Sequence, residues 1–534
     1  MFKNKFWCRL MTAMAVLSLT LLIGGTAIAK EQITLELPSM SPIEKTGQEI
    51  ITTGNVGLAY QMYKLALWNS LHPEAKVVPK FPHGRGGRDR DFILTSLAGG
   101  DAPCYYRASA ISPLYDAVKM GAAADITEIV NDPKLKAEYF DHMTPILKDY
   151  WKNILWIGDR CYGVVGEVNP FGLYYRKDWF KEAGIFNAQG VGAPPDHWTY
   201  KDFREIAKKI TDPKKKRWGL LLRGHPSQVG VLMDMERFGA EEIIPDKTGK
   251  YTWRAGFTLP PMVEYMTYLH DMIFEDKSVL TGIEFGWGEC WHGFFDQSKG
   301  GMIYDALPNG LVQYALRDRD CFRPLHFAEA AGLAPFPIGK GGIKEARAYG
   351  AGWMINPLLT DAEKKATVEF LLYSEVGIGR EMARMYDYWR SKTKKPWPGN
   401  IHSFCGVPPN AEYLKPLGYG LPADYIHAWN LIMEEKIRPS LSLFGMYVKN
   451  MTGVLDALAS ATGKIISDPN VDIKKALSQA AAVANSKLNY KDENITPEKL
   501  KAYYTAVSEY YKETAPDFYK NTFQPLLEKY YKVW

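Results

Sequence analysis

Short apolar runs of strand length alternate along this chain with longer stretches whose apolar residues return every three or four positions. That mixture predicts an α/β fold. Ile33–Leu37 reads as a first strand. Residues 44–71 come next, with Leu58, Met62, Leu65 and Trp68 near helical spacing, and Val77–Phe81 reads as a second strand. A strand, a helix and a strand in that order predict a right-handed crossover and a parallel sheet. In open sheets of this kind ligands bind beyond the carboxyl ends of the strands. The loops at Ser39–Ser41 and His83–Arg88 are therefore candidate cleft loops, with Ser39 a candidate contact. After them come a helix at 89–98 stopped by Gly99-Gly100, a strand at 102–106, and helices at 109–121 and 133–153.

The stretch Cys161–Ile185 is the centre around which the chain is organised. Tyr162–Val168 is apolar and glycine-rich, Asn169-Pro170 is a turn signal, Leu173–Tyr175 is strand-like, and Arg176–Ala183 reads as a helix that Gly184 stops. Two β-runs broken by Pro and Gly suit a chain leaving one lobe for another. Glu167 and Asn169 sit at that break, where polar side chains suit a cleft. Thr199 and Asp202 form a capping-box pattern, and Tyr200, Phe203, Ile206, Ala207 and Ile210 make one apolar face. Trp218–Leu222 is a strand ending in Arg223, and Gly300–Asp305 another ending in Tyr304 and Asp305. By the strand-end argument Arg223, Tyr304 and Asp305 are candidate contacts. Between them lie a helix at 261–274 and an aromatic, irregular stretch at 286–295. Residues 333–337 read as a strand or connector, and Tyr349–Ile355 as a second glycine-rich crossing. Thr360 with Glu363 caps a helix, and Pro396–Pro409 is a candidate third crossing. Three more helices are expected at 422–436, 443–460 and 471–488. Thr496-Pro497-Glu498 starts a last one, whose stripe of Tyr503, Tyr504, Val507, Tyr510 and Tyr511 predicts core packing.

The N-terminus is of a different kind. Lys3, Lys5 and Arg9 precede the apolar run Leu10–Ile23, and Ala27-Ile28-Ala29 is a small-x-small cleavage signal. Cleavage after Ala29 would remove 29 of 534 residues and three positive charges, taking the formal net charge from +5 to +2. A near-neutral mature chain gives no argument for nucleic acid, and its length allows two or more lobes. Such a signal implies export to a periplasm or the outside. Cys8 precedes the apolar run, so it is not placed as a lipid-anchor cysteine. Five cysteines remain after cleavage. Their odd count leaves at least one thiol unpaired, and their pairing stays open. Gly84–Asp91 lacks the ending of a phosphate loop. Glu289, Cys290 and His292 have no second cluster of ligand spacing, so no metal and no cofactor is predicted. The 15 Trp and 32 Tyr suggest stacking surfaces as well as core.

Five segments in order carry a likeness: ILTSLAGGDAPCYY; YGVVGEVNPFGLYYRKDWFKEAGI with APPDHWTYKDFREIAKKIT; KGGMIYDALPNG; AYGAGWMINPLLTDAEKKATVEFLLYSE; and EEKIRPSLSLFGMYVKNMTGVLDALASATG. Together the chain resembles the extracellular solute-binding proteins of ABC importers, the group that contains the maltose-binding proteins. It departs at Cys104, where the family usually has aspartate. The likeness covers about residues 31–488. It implies a two-lobe periplasmic-binding-protein fold with hinge crossings, here with an extra C-terminal helical tail. Lobe 1 would take 30–163 with 350–403, lobe 2 would take 164–349 with 404–490, and 491–534 would be the extension. It implies ligand contacts at Glu167, Asn169, Tyr304, Asp305, Tyr349, Trp353 and Phe444. It further implies a monomer that is not an enzyme, that captures a carbohydrate or similar polar solute and delivers it to an ABC permease. Two rivals use the same residues. A secreted glycosidase would need a carboxylate pair such as Glu167 with Asp305, and a sensor would bind the same solute but dock to a receptor.

Overall fold

The computed structural model describes residues 32–38, 65–81, 89–108, 114–143, 145–226, 231–295, 297–306, 330–345, 348–376 and 423–534. Strands β1 (Ile33–Pro38) and β2 (Ala75–Phe81) pair in parallel, as the first crossover predicts. Strand β3 (Tyr105–Arg107) is tied in by the Cys104 N–H, which donates to the Glu36 carbonyl at 2.9 Å.

Strand β4 (Gly163–Arg176) runs through both halves of the molecule. Its first part pairs with β9 (Ala348–Ile355), and β9 pairs in turn with β3. Its second part lies between β7 (Gly300–Ala306) and β8 (Ala331–Ala334). Strands β5 (Trp218–Arg223) and β6 (Val279–Gly282) complete the second sheet in the order β6–β5–β7–β4–β8, with β5 parallel to both β6 and β7. The turn expected at Asn169-Pro170 is absent, and β4 continues through it. Pro170 stands opposite Ala348, the first residue of β9, so the missing N–H falls where one ladder ends and the next begins.

Two cores flank this crossing. One gathers Leu147, Trp151, Val164, Val165, Ile355 and Leu371, and the other is built around Leu173, Phe203, Leu220, Met262 and Tyr304. The glycines of the crossing strands serve close packing. A Cβ on Gly163 would come within 2.6 Å of the Trp353 carbonyl oxygen, and one on Gly352 within 2.5 Å of Leu155. Helix α1 (Tyr200–Ile210) starts on the Thr199–Asp202 capping box and buries its five expected apolar residues. A capping box at Thr360 and Glu363 likewise starts the helix Asp361–Leu371.

Three expectations change. The stretch expected to be irregular forms a helix, α2 (Trp287–Phe295), because Trp287, Trp291 and Phe295 recur every four residues among its glycines. The helix expected from 443 starts at Met451. Leu441–Phe444 is instead a single 3₁₀ turn, closed by Gly445 at φ +64°. The expected helix over 133–153 divides into Pro133–Glu138 and Pro145–Leu155, and the described part of the one over 109–121 is helical over Leu114–Lys119. The expected third crossing at 396–409, the helix at 44–64 and most of the Gly84–Asp91 loop lie outside the described residues.

Helix α3 (Pro497–Thr514) buries Tyr503, Tyr504, Val507, Tyr510 and Tyr511 in the same core as β5 and β7. The tail is therefore part of the second lobe's interior. Phe518 fills the space over Gly239, which has φ +78° and no room for a Cβ.

Candidate functional site

The carboxyl ends of β5 and β7 bring two of the expected residues together. Arg223, the last residue of β5, is 8% exposed, and Asp305, near the end of β7, is 1% exposed. The Arg223 Nη2 lies 3.5 Å from Asp305 Oδ1 and 3.5 Å from the Tyr304 carbonyl oxygen. Burial of two opposite charges side by side is tolerable because each meets the other. The indole Nε1 of Trp287 donates to the same Asp305 oxygen at 3.2 Å. Trp287 opens α2, where the Glu289 side chain accepts from the Gly286 N–H at 2.9 Å. Its ring lies against Trp291 at 5.0 Å and yet is 47% exposed. The result is an apolar ring with a hydrogen-bonding edge, at the strand ends where open sheets bind ligands.

Strand alternation sends Tyr304 the other way. It stacks on Phe336 at 5.0 Å inside the core, and its hydroxyl faces Asp234. The structure thus does not bring Tyr304 to the face that Asp305 shares with Trp287. Trp353 is likewise turned into the first lobe, edge-on to Tyr105 at 5.1 Å with the Arg107 guanidinium over its ring. Phe444 packs edge-on against Tyr503 at 5.8 Å. Glu167, Asn169 and Tyr349 lie on the crossing strands. Tyr349 is opposite Asn169, and Glu167 falls at the register shift between Gly350 and Gly352. Ser39 lies outside the described residues.

An interlobe cavity lies beside the crossing. It measures about 560 Å³ and is walled by Tyr115, Tyr150 and Asn153 from the first lobe and by Glu241, Glu242 and Arg438 from the second. Arg438 pairs with Glu241, and its Nε lies 3.8 Å from Glu345. Burial, reinforced by the neighbouring Glu241, pushes the Glu242 carboxyl up to about 7. At the rim Tyr115 and Tyr447 stack, with ring centroids 3.3 Å apart.

Trp287 and the Tyr115–Tyr447 pair were not singled out in the sequence. The four-residue spacing of Trp287, Trp291 and Phe295 carried the first signal; nothing local marked the second. Cys104, Cys161 and Cys290 are buried free thiols, and burial pushes all three upward, Cys290 to about 12. Among the described residues no three His, Cys, Asp or Glu side chains converge as a metal site would need, and no helix is long and apolar enough to cross a membrane.

Comparison with known proteins agrees with this architecture. The family model described as bacterial extracellular solute-binding protein matches residues 52–371. An uncharacterized lipoprotein of Streptomyces antibioticus is 28% identical over 146 residues, which are 27% of this chain and 29% of that protein. The aligned stretch therefore spans under a third of that relative. Among solved structures, an ABC substrate-binding protein from Listeria monocytogenes in complex with cycloalternan matches with a TM-score of 0.56 at 18% identity, over 86% of this chain and 99% of the other. The GacH receptor of Streptomyces glaucescens, solved unliganded and with acarbose, gives 0.55 at 14% identity over 86% and 100%. UgpB from Mycobacterium tuberculosis with glycerophosphocholine gives 0.54 at 14% identity over 86% and 98%. These likenesses carry the two-lobe α/β fold, and the family match over more than half of the chain carries the membership: this chain belongs to the bacterial extracellular solute-binding proteins.

Proposed function

We propose that this chain is an exported receptor that captures a carbohydrate or similar polar solute between its lobes and delivers it to an ABC importer in the membrane. The observation that supports it most directly is the Trp287–Asp305–Arg223 cluster. A sugar offers an apolar ring face and a rim of hydroxyls. An exposed indole suits the face, and a carboxylate beside a guanidinium suits the hydroxyls. The ligands of the structural neighbours, cycloalternan and acarbose, point the same way, while glycerophosphocholine keeps the solute class wider. Glu167, Asn169 and Tyr349 on the crossing strands complete the proposed cleft, together with Ser39, which follows β1 in the sequence.

In this reading the N-terminal Lys/Arg start, apolar run and Ala27-Ile28-Ala29 form a cleaved export signal, and the mature chain acts as a monomer in the periplasm. Lobe closure over bound solute would mark the loaded form for the permease. Binding without turnover accords with family membership.

The test is a thermal-shift screen of residues 30–534 against mono- and oligosaccharides, polyols, glycerophosphodiesters, amino acids and peptides. A solute that binds only the folded state raises Tm by mass action. A shift with one sugar class and no product formed is the expected result. A shift with another class alone would reject the carbohydrate, and conversion of the solute would reject the receptor in favour of a hydrolase.

A further inference from the structure

The loop 436–447 is a part of the second lobe that reaches the first. The Ser440 N–H donates to Asn153 Oδ1 at 2.7 Å, the Ser442 hydroxyl donates to the Asn153 carbonyl at 2.9 Å, and the Gly158 N–H donates to the Ser442 carbonyl at 3.1 Å. Tyr447 adds its stack on Tyr115. The same loop is held from behind by the C-terminal tail. The Tyr510 hydroxyl donates to the Lys436 carbonyl at 3.1 Å, Lys436 pairs with Glu513, and Phe444 packs against Tyr503. The tail is itself anchored deep in the lobe by Phe518 over Gly239 and by Tyr504 stacked on Tyr531 at 5.2 Å.

We infer that residues 497–534 are a brace that positions loop 436–447 for its contact with the first lobe, so that the tail sets how firmly the two lobes hold together. The grip and the contact lie a few residues apart on one short segment. Lys436 and Phe444 are held by the tail, and Ser440 and Ser442 between them touch Asn153. A turn of four residues closed by a left-handed glycine has few bonds of its own to fix its aim. The second lobe supplies them from two sides, through Glu241 and Glu345 on Arg438 and through α3 on Lys436 and Phe444. Tyr510 and Glu513 act here as positioning residues, through Lys436, and touch neither the first lobe nor the strand-end cluster.

The test needs no solute. Hydrogen–deuterium exchange of the full mature chain is followed in peptides covering 153–160, 438–446 and 497–534, for the wild type and for Tyr510→Phe with Glu513→Gln. One neutral hydrogen bond and one exposed ion pair together account for about a tenfold change. The brace therefore predicts about tenfold faster exchange at 153–160 and 438–446, unchanged protection over 497–534, and Tm within about 3 °C of wild type. Lys436→Glu alone should loosen the same two peptides, and Lys436→Glu with Glu513→Lys should restore them. Unchanged exchange at 153–160 in both loosening variants would overturn the brace. So would acceleration spread equally over 497–534, or a charge swap that restores nothing, because each would mean that the tail only fills the core.

Discussion

Asp234 offers a sharp test of the second lobe's interior. Its carboxylate is buried beneath β7, with the Tyr200 hydroxyl donating to Oδ1 at 2.5 Å and Tyr304 facing it. Burial raises the group to about 7, outweighing the two hydroxyls and Arg237, which act in the opposite direction. An unfolded aspartate titrates near 3.9, so the shift is about three pH units, or about 4 kcal/mol at 1.36 kcal/mol per unit. The folded state holds this proton more tightly. Below about pH 4 both states are protonated and the group is neutral to stability. From pH 4 to 7 the unfolded state ionises first, and stability falls as pH rises. Above pH 7 both are ionised and the cost of about 4 kcal/mol is constant. Asp234→Asn removes the titration but keeps a carbonyl oxygen for Tyr200. About 1 kcal/mol of that cost is already present at pH 4.5, so the stability of the variant relative to wild type should grow by about 3 kcal/mol between pH 4.5 and pH 8. Urea unfolding followed by fluorescence at half-unit pH steps reads this difference. Comparing the two proteins cancels the parallel titration of Glu242, which also lies near 7, and any constant cost of the amide. A two-lobe chain can unfold in steps, so the transition of the second lobe is the one to compare. A gap that stays flat from pH 5 to 8 would refute the reasoning and place the Asp234 titration outside that window.

Trp287→Ala should weaken capture of the solute found in the screen about tenfold, the value of one stacked ring, while Tm barely moves because the ring is 47% exposed. Isothermal titration checks it, and an unchanged Kd would remove Trp287 from the site. Gly239→Ala places a Cβ 2.2 Å from Phe518 at φ +78°. It should cost about 2–4 kcal/mol in overpacking and backbone strain, read as a lower Tm of the full chain. Thr199→Ala removes one half of the α1 capping box and should cost about 1 kcal/mol, visible as a lower urea midpoint with an unchanged slope.

Local rules made much of this molecule legible, and the misses share a cause. The caps at Thr199, Thr360 and Thr496, the stop at Gly184 and the buried face of α1 depend on residues within one or two helical turns of each other, so the chain displays them directly. The strand ends at Arg223 and Asp305 were legible for the same reason. The features that stayed hidden depend on partners far away in sequence. Asn169-Pro170 looks like a turn until β9, β7 and β8 supply pairing on either side of it. Tyr304 and Trp353 look like contacts until strand alternation and the Phe336 and Tyr105 rings claim them for the interior.

The crossing shows why the fold tolerates such conflicts at this point. A strand shared by two lobes must satisfy two cores at once, Val164 and Val165 in the first and Leu173 and Tyr175 in the second. Glycines at 163 and 352 let the backbones approach closely at the first core, while the register shift between Gly350 and Gly352 opens opposite Gly166 and Glu167. Pairing is least regular there, so a bend costs least there. The proposed receptor needs a hinge with that property, and on β4 the irregular pairing falls at Gly166 and Glu167.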